Sequence, residues 1–139
     1  MTTLPSTLIA VSAAIILLLG LLHLRYTFYG RKLLPRDPEL LARMREVSPV
    51  ITRQTTMWKA WIGFNASHSF GAILFGLVYG YLSLVHATFL FQSTFLLLLG
   101  LALLLGYLLL AKSYWFSIPL RGILLATVLY AAALLIALT

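Results

Sequence analysis

Between Lys59 and Lys112 the chain reads AWIGFNASHSFGAILFGLVYGYLSLVHATFLFQSTFLLLLGLALLLGYLLLA, 52 consecutive residues from Ala60 to Ala111 without a formally charged side chain. One helix of that length would measure roughly 78 Å at ~1.5 Å per residue, far more than a hydrocarbon core of ~30 Å. It suits two spans and a turn. The turn belongs near Leu82 to Ala87, where Ser83 and His86 lower the hydropathy. Two further uncharged runs, Leu4 to Leu24 and Gly122 to Thr139, flank this stretch. The expected spans are therefore TM1 at about 4–29, TM2 at about 57–82, TM3 at about 88–111 and TM4 at about 119–138.

The composition agrees. Of 139 residues, 62% are hydrophobic, with 10 basic and 3 acidic side chains, against an apolar share of about 45–50% in soluble domains. Four spans of ~20 residues take up about 80 of them, which leaves one modest connection and no room for a separate water-soluble domain. The expected fold is an all-α four-transmembrane-helix bundle forming a single integral-membrane domain over residues 1–139. The chain has no cysteine, which excludes disulfides, thiolate metal sites and a cysteine nucleophile.

The charges are segregated. Eight of the ten basic residues and all three acids lie between Arg25 and Lys59, a net +5, and Lys112 and Arg121 supply the remaining +2. With four spans, the first and third connections share a side of the membrane, and they hold every charge. By the positive-inside rule that side is cytoplasmic, so the basic loop 25–59 faces the cytoplasm and both termini and the second loop face outward. A cleaved signal peptide is the poorer reading of the first run, because no Lys or Arg precedes it and it ends in a basic stop at Arg25, Arg31 and Lys32.

Within the loop, Asp37-Pro38-Glu39 reads as a helix start, with Asp37 as N-cap, Pro38 at the first helical position and Glu39 beside the positive end of the dipole. A short amphipathic helix over about 38–47 would place Leu40, Leu41, Met44 and Val47 on one face, the pattern of a helix at the headgroup boundary. Ser48-Pro49 ends it, and the second span starts either at Pro49 or, after a break, beyond Thr55 and Thr56. The basic residues serve as a topological anchor to the lipid bilayer. No aromatic residues interleave with bases in a groove, so no nucleic-acid partner is expected.

Inside the spans, small and polar residues recur at helical spacing, as association in hydrocarbon requires. The first span carries Ser6, Ile9, Ala13, Ile16, Gly20, His23, Thr27 and Gly30 along one seam. The second has two small stripes, Ala60, Gly63, Ser67 and Gly71 on one side and Asn65, Ser69, Ala72, Gly76, Gly80 and Ser83 on the other, with a bulky face between them. It is expected to be the central helix, packed on two sides, and its two small faces allow a homodimer. Gly122, Ala126, Tyr130, Ala133 and Ala137 form the seam of the fourth span; Ser93, Gly100, Tyr107 and Ala111 form that of the third.

An ionisable residue below the membrane interface is a functional candidate by default. Asn65 precedes His68 by three residues, so its amide is placed to bond that imidazole, with Ser67 or Ser69 closing the network. His23 lies at the same expected depth, eight residues in from Arg31 as His68 is nine from Lys59. The cluster of His23, Trp61, Asn65, Ser67, His68 and Ser69 admits four readings. It is interhelical glue; a site for a hydrophobic ligand or quinone walled by Trp61, Phe64, Tyr26 and Phe28; a membrane enzyme's centre with His68 as acid or base on a lipophilic substrate; or a haem site with His23 and His68 as ligands. A carboxylate-bridged metal is excluded, because Asp37, Glu39 and Glu46 all lie in the loop.

The run Leu33-Leu34-Pro35-Arg36-Asp37-Pro38-Glu39, the Ser48-Pro49 step, and Thr52 to Trp58 followed by Gly63-Phe64-Asn65-Ala66-Ser67-His68-Ser69-Phe70-Gly71 resemble a family of small, uncharacterised bacterial integral-membrane proteins. The resemblance covers the first two spans and their connection. It implies a multi-pass protein of the bacterial inner membrane, assigns no catalytic residue, and marks Asn65 to Ser69 as a signature. The expectation is a structural or accessory membrane protein that binds a partner or a hydrophobic ligand, rather than an enzyme.

Overall fold

A backbone in hydrocarbon must satisfy its own hydrogen bonds, and a helix does so within a single segment. In the computed structural model, which describes residues 3–138 apart from the side chain of Leu138, every regular element is helical. Met1, Thr2 and Thr139 of the expected single domain lie outside the described residues. The elements are α1 (Leu4–Phe28), α2 (Pro38–Glu46), α3 (Met57–Val85), α4 (Ala87–Gln92), α5 (Thr94–Tyr114) and α6 (Ser117–Leu138). Four of them, α1, α3, α5 and α6, are long and apolar enough to cross a membrane.

Their ends follow local chemistry. The α1 helix stops at Phe28, and Gly30 follows with φ +91°, a left-handed conformation that costs glycine little. Asp37 caps α2 by accepting from the Glu39 backbone N–H at 2.9 Å, and Pro38 occupies the first turn. The next long helix begins at Met57, with the Thr56 hydroxyl oxygen accepting from the Lys59 N–H at 3.3 Å. In α6, Pro119 falls in the first turn, where its missing N–H leaves no intrahelical bond unmade.

The third span departs from expectation. Instead of one helix from 88 to 111, the chain forms α4, breaks at Ser93 and restarts as α5. Ser93 is the reason: its side chain accepts from the Leu96 N–H at 3.3 Å and starts a new helix inside an apolar run. The turn before it is also tighter than expected, since α3 continues to Val85 and His86 alone separates it from α4.

The described chain divides into two units, Gly20–Gly71 and the remainder. The larger unit holds the apolar core: Ile9, Ala13 and Ile16 of α1, Ala72, Phe75 and Tyr79 of α3, Leu90 of α4, Leu104 and Ala111 of α5, and Ile123, Ala126, Tyr130 and Ala133 of α6. Backbones approach closely here. A Cβ added at Gly76 would lie 2.5 Å from the Leu17 Cβ and 2.8 Å from the Ala13 carbonyl oxygen. The Ser12 hydroxyl donates to the Ala126 carbonyl at 2.7 Å, tying α1 to α6. Two buried phenols find carbonyls at the start of α5: Tyr79 donates to Leu96 O at 2.7 Å and Tyr130 to Leu97 O at 3.1 Å. Gly100 makes this possible, because a Cβ there would collide with the Tyr130 phenol and the Tyr79 ring.

The seams read from sequence fall out unequally. In α1, Ser6, Ile9, Ala13, Ile16, Gly20 and Thr27 are buried and His23 is half-buried, whereas Gly30 lies beyond the helix and is exposed. In α3, Ser69, Ala72, Gly76 and Ser83 are buried and Asn65 and Gly80 half-buried. The other stripe is different: Gly63, Ser67 and Gly71 are exposed and Ala60 half-buried. The expectation that α3 packs on both small faces is thus corrected, and the bulky residues Phe75 and Tyr79 are buried instead. In α6, Ala126, Tyr130 and Ala133 are buried, Gly122 half-buried and Ala137 exposed.

Candidate functional site

Every residue singled out for chemistry lies in the unit Gly20–Gly71. His23 is on α1; Trp61, Asn65, Ser67, His68 and Ser69 are on the first turns of α3. The structure brings His23, Asn65 and His68 together. His23 Nε2 and Asn65 Oδ1 are 3.0 Å apart, and the rings of His23 and His68 meet edge to face with centroids 5.3 Å apart at 87°. The two histidines are therefore neighbours.

The bonding differs from the expected pattern, because Asn65 reaches across to His23 and not along its own helix to His68. The cause is local. Asn65 Nδ2 donates to the Trp61 carbonyl one turn back at 2.8 Å, which turns Oδ1 toward α1. Oδ1 is an acceptor, so the bond is one in which His23 Nε2 donates. The serines do not close a side-chain network. Ser69, fully buried, donates to the Asn65 carbonyl at 2.9 Å, and exposed Ser67 donates to the Phe64 carbonyl at 3.0 Å. Buried Thr27 donates to the His23 carbonyl at 2.8 Å, so both helices bearing the histidines have a hydroxyl back-bonded beside them.

The haem reading does not fit this geometry. An axial pair with ~2 Å metal–nitrogen bonds needs ring centroids roughly 6 Å apart and both rings pointing at one centre. Here the centroids are at 5.3 Å, the rings are edge to face, and His23 Nε2 is bonded to Asn65. Among the described residues, no group of three or more His, Cys, Asp or Glu is placed to hold a metal ion.

A feature the sequence did not announce adjoins the cluster. The Trp61 indole N–H donates to the Leu33 carbonyl at 3.2 Å, fastening the start of α3 to the connection. A groove of about 360 Å³ opens there, lined by Lys32, Leu33, Leu34, Pro35, Met44 and Trp61. The Lys32 ammonium lies 3.8 Å from the centre of the Tyr26 ring, a cation–π contact. Of the aromatic walls expected for a ligand, Trp61 lines this groove and Tyr26 holds Lys32, while Phe28 and Phe64 are exposed. Only Trp61 carried a signal in the sequence; the other walls needed the loop to fold back. No protein-family model, curated protein or solved structure matches the chain, so the reading of this site rests on its own geometry.

Proposed function

We propose that the chain is a small structural or accessory protein of the bacterial inner membrane, with the connection between α1 and α3 cytoplasmic and both termini outside. In this reading His23 and Asn65 are an interhelical clasp, and the aromatic surface beside them receives a partner or a hydrophobic ligand. The two-way bonding of Asn65 carries it: its Nδ2 amide donates to the Trp61 carbonyl and its Oδ1 accepts from His23 Nε2, which is how a polar residue acts as glue between helices in hydrocarbon. Such a bond contributes roughly 0.6–2 kcal/mol. The residues of the family-like segment from Gly63 to Gly71 support the location in a bacterial membrane.

A double-mutant cycle tests the clasp. His23→Leu and Asn65→Leu, melted singly and together in detergent, are expected to couple by about 1 kcal/mol. Zero coupling sinks the clasp. The alternative is a membrane enzyme with His68 as acid or base on a lipophilic substrate. It is favoured by the edge contact of two imidazoles at a depth where the chain has no carboxylate. It predicts that His68→Gln folds but fails to complement a deletion strain; full rescue removes it.

A further inference from the structure

The connection from Arg25 to Lys59 holds eight cations. Among the described residues its one ion pair is Arg43 with Glu46, at 3.3 Å and exposed on both sides. Seven cations there lack a carboxylate within bonding distance, and one of them is built into a site. Lys32 is held over Tyr26 at 3.8 Å and forms the lip of the groove, whose remaining walls, Leu33, Leu34, Pro35, Met44 and Trp61, are predominantly apolar. The Trp61 N–H is already given to the Leu33 carbonyl, so Lys32 supplies the groove's only ionic side chain. The volume, about 360 Å³, falls in the range of roughly 300–1,000 Å³ typical of small-ligand sites.

Position adds the second argument. The uncharged runs of α1 and α3 are bounded by Arg25 and Lys59, and Lys32 follows the end of α1 by four residues, which puts the groove at the boundary between hydrocarbon and headgroups, where tryptophan is also favoured. A ligand for it carries an apolar chain and one negative head. We infer that the groove seats one anionic phospholipid, with the start of an acyl chain against Met44 and Trp61 and the phosphate against the Lys32 ammonium. A zwitterionic lipid brings its own cation beside the unpaired arginines and lysines and is disfavoured. The inference rests on the ligand part of the reading above and names that ligand.

Its test uses Trp61 as the probe. The chain has three tryptophans, so the double variant Trp58→Phe, Trp115→Phe leaves Trp61 as the sole indole. In phosphatidylcholine vesicles doped with either brominated phosphatidylglycerol or brominated phosphatidylcholine at equal mole fraction, the anionic lipid is expected to quench Trp61 with about fivefold preference, the scale of one lysine–headgroup contact. Lys32→Gln removes that preference and Arg53→Gln leaves it. Equal quenching by the two lipids overturns the seat, as does an equal loss in both variants, which would show diffuse attraction to the whole basic connection. A readout on the unaltered protein does not depend on the variants folding: native mass spectrometry from mixed micelles should retain one phosphatidylglycerol, and equal retention of both lipids overturns the proposal. These assays read quenching and mass, whereas the clasp is read by melting, so each reading fails on its own measurement.

Discussion

The two halves of α3 carry the same kind of residue to opposite ends. Toward Val85, Gly76 is hemmed in by the Ala13 carbonyl and the Leu17 backbone, and a side chain there has nowhere to go. Toward Met57, Gly63 has nothing within 4 Å of where its Cβ would sit. Both glycines belong to stripes of small residues at helical spacing. A stripe shows that a helix permits close approach; a neighbour must still arrive, and among the described residues one of the two α3 stripes has received one. The same contrast separates the units as wholes, because the apolar core lies entirely outside Gly20–Gly71, while that segment holds eight of the ten basic residues.

Substitutions sharpen the contrast. Gly76→Val should have the largest effect, about 3 kcal/mol of destabilisation measured by thermal or SDS-induced unfolding in detergent, since backbone atoms at 2.8 and 2.9 Å cannot move aside. A wild-type melting temperature would mean that α1 and α3 do not approach as described. Gly100→Ala should cost somewhat less, about 2 kcal/mol, because the obstructing atoms belong to the side chains of Tyr130 and Tyr79 and can yield by a rotation that loses their bonds to Leu97 and Leu96. Tyrosine fluorescence or hydroxyl infrared bands would report that release. Gly63→Ala should be the mildest, within about 0.5 kcal/mol of wild type, with the better helix propensity of alanine acting in its favour. A loss as large as that at Gly76 would reveal a covering partner, such as a second copy of the chain, and would abolish the contrast.

These differences also show what the sequence made legible. The α1 seam could be read residue by residue from Ser6 to Thr27, because period and residue size are local properties of a helix. The α2 cap at Asp37 was readable for the same reason. The break at Ser93 was not, since one hydroxyl inside an apolar run decides it and hydropathy averages it away. Within the candidate site, spacing along one helix suggested Asn65 with His68 and expected depth suggested His23, but the pairing of Asn65 with His23 was not readable. Asn65 had two directions to reach, and the donation of its Nδ2 to the Trp61 carbonyl chose between them. The groove was hidden because it depends on a backbone carbonyl, that of Leu33, and on Met44 of α2 coming to line the same groove as Trp61 of α3.

Gly30 completes the set from another direction. It is the only described residue with a left-handed backbone, at φ +91°, and open space surrounds the position its Cβ would take. Gly76 forbids a side chain because of volume, although its helical backbone suits any L residue. At Gly30 the prohibition comes from chirality alone, since the steric clash of an L side chain at positive φ lies within the residue's own peptide units. A D-alanine placed there by chemical ligation would meet neither obstacle. The end of α1 is therefore a point where the chain selects for handedness and is indifferent to size.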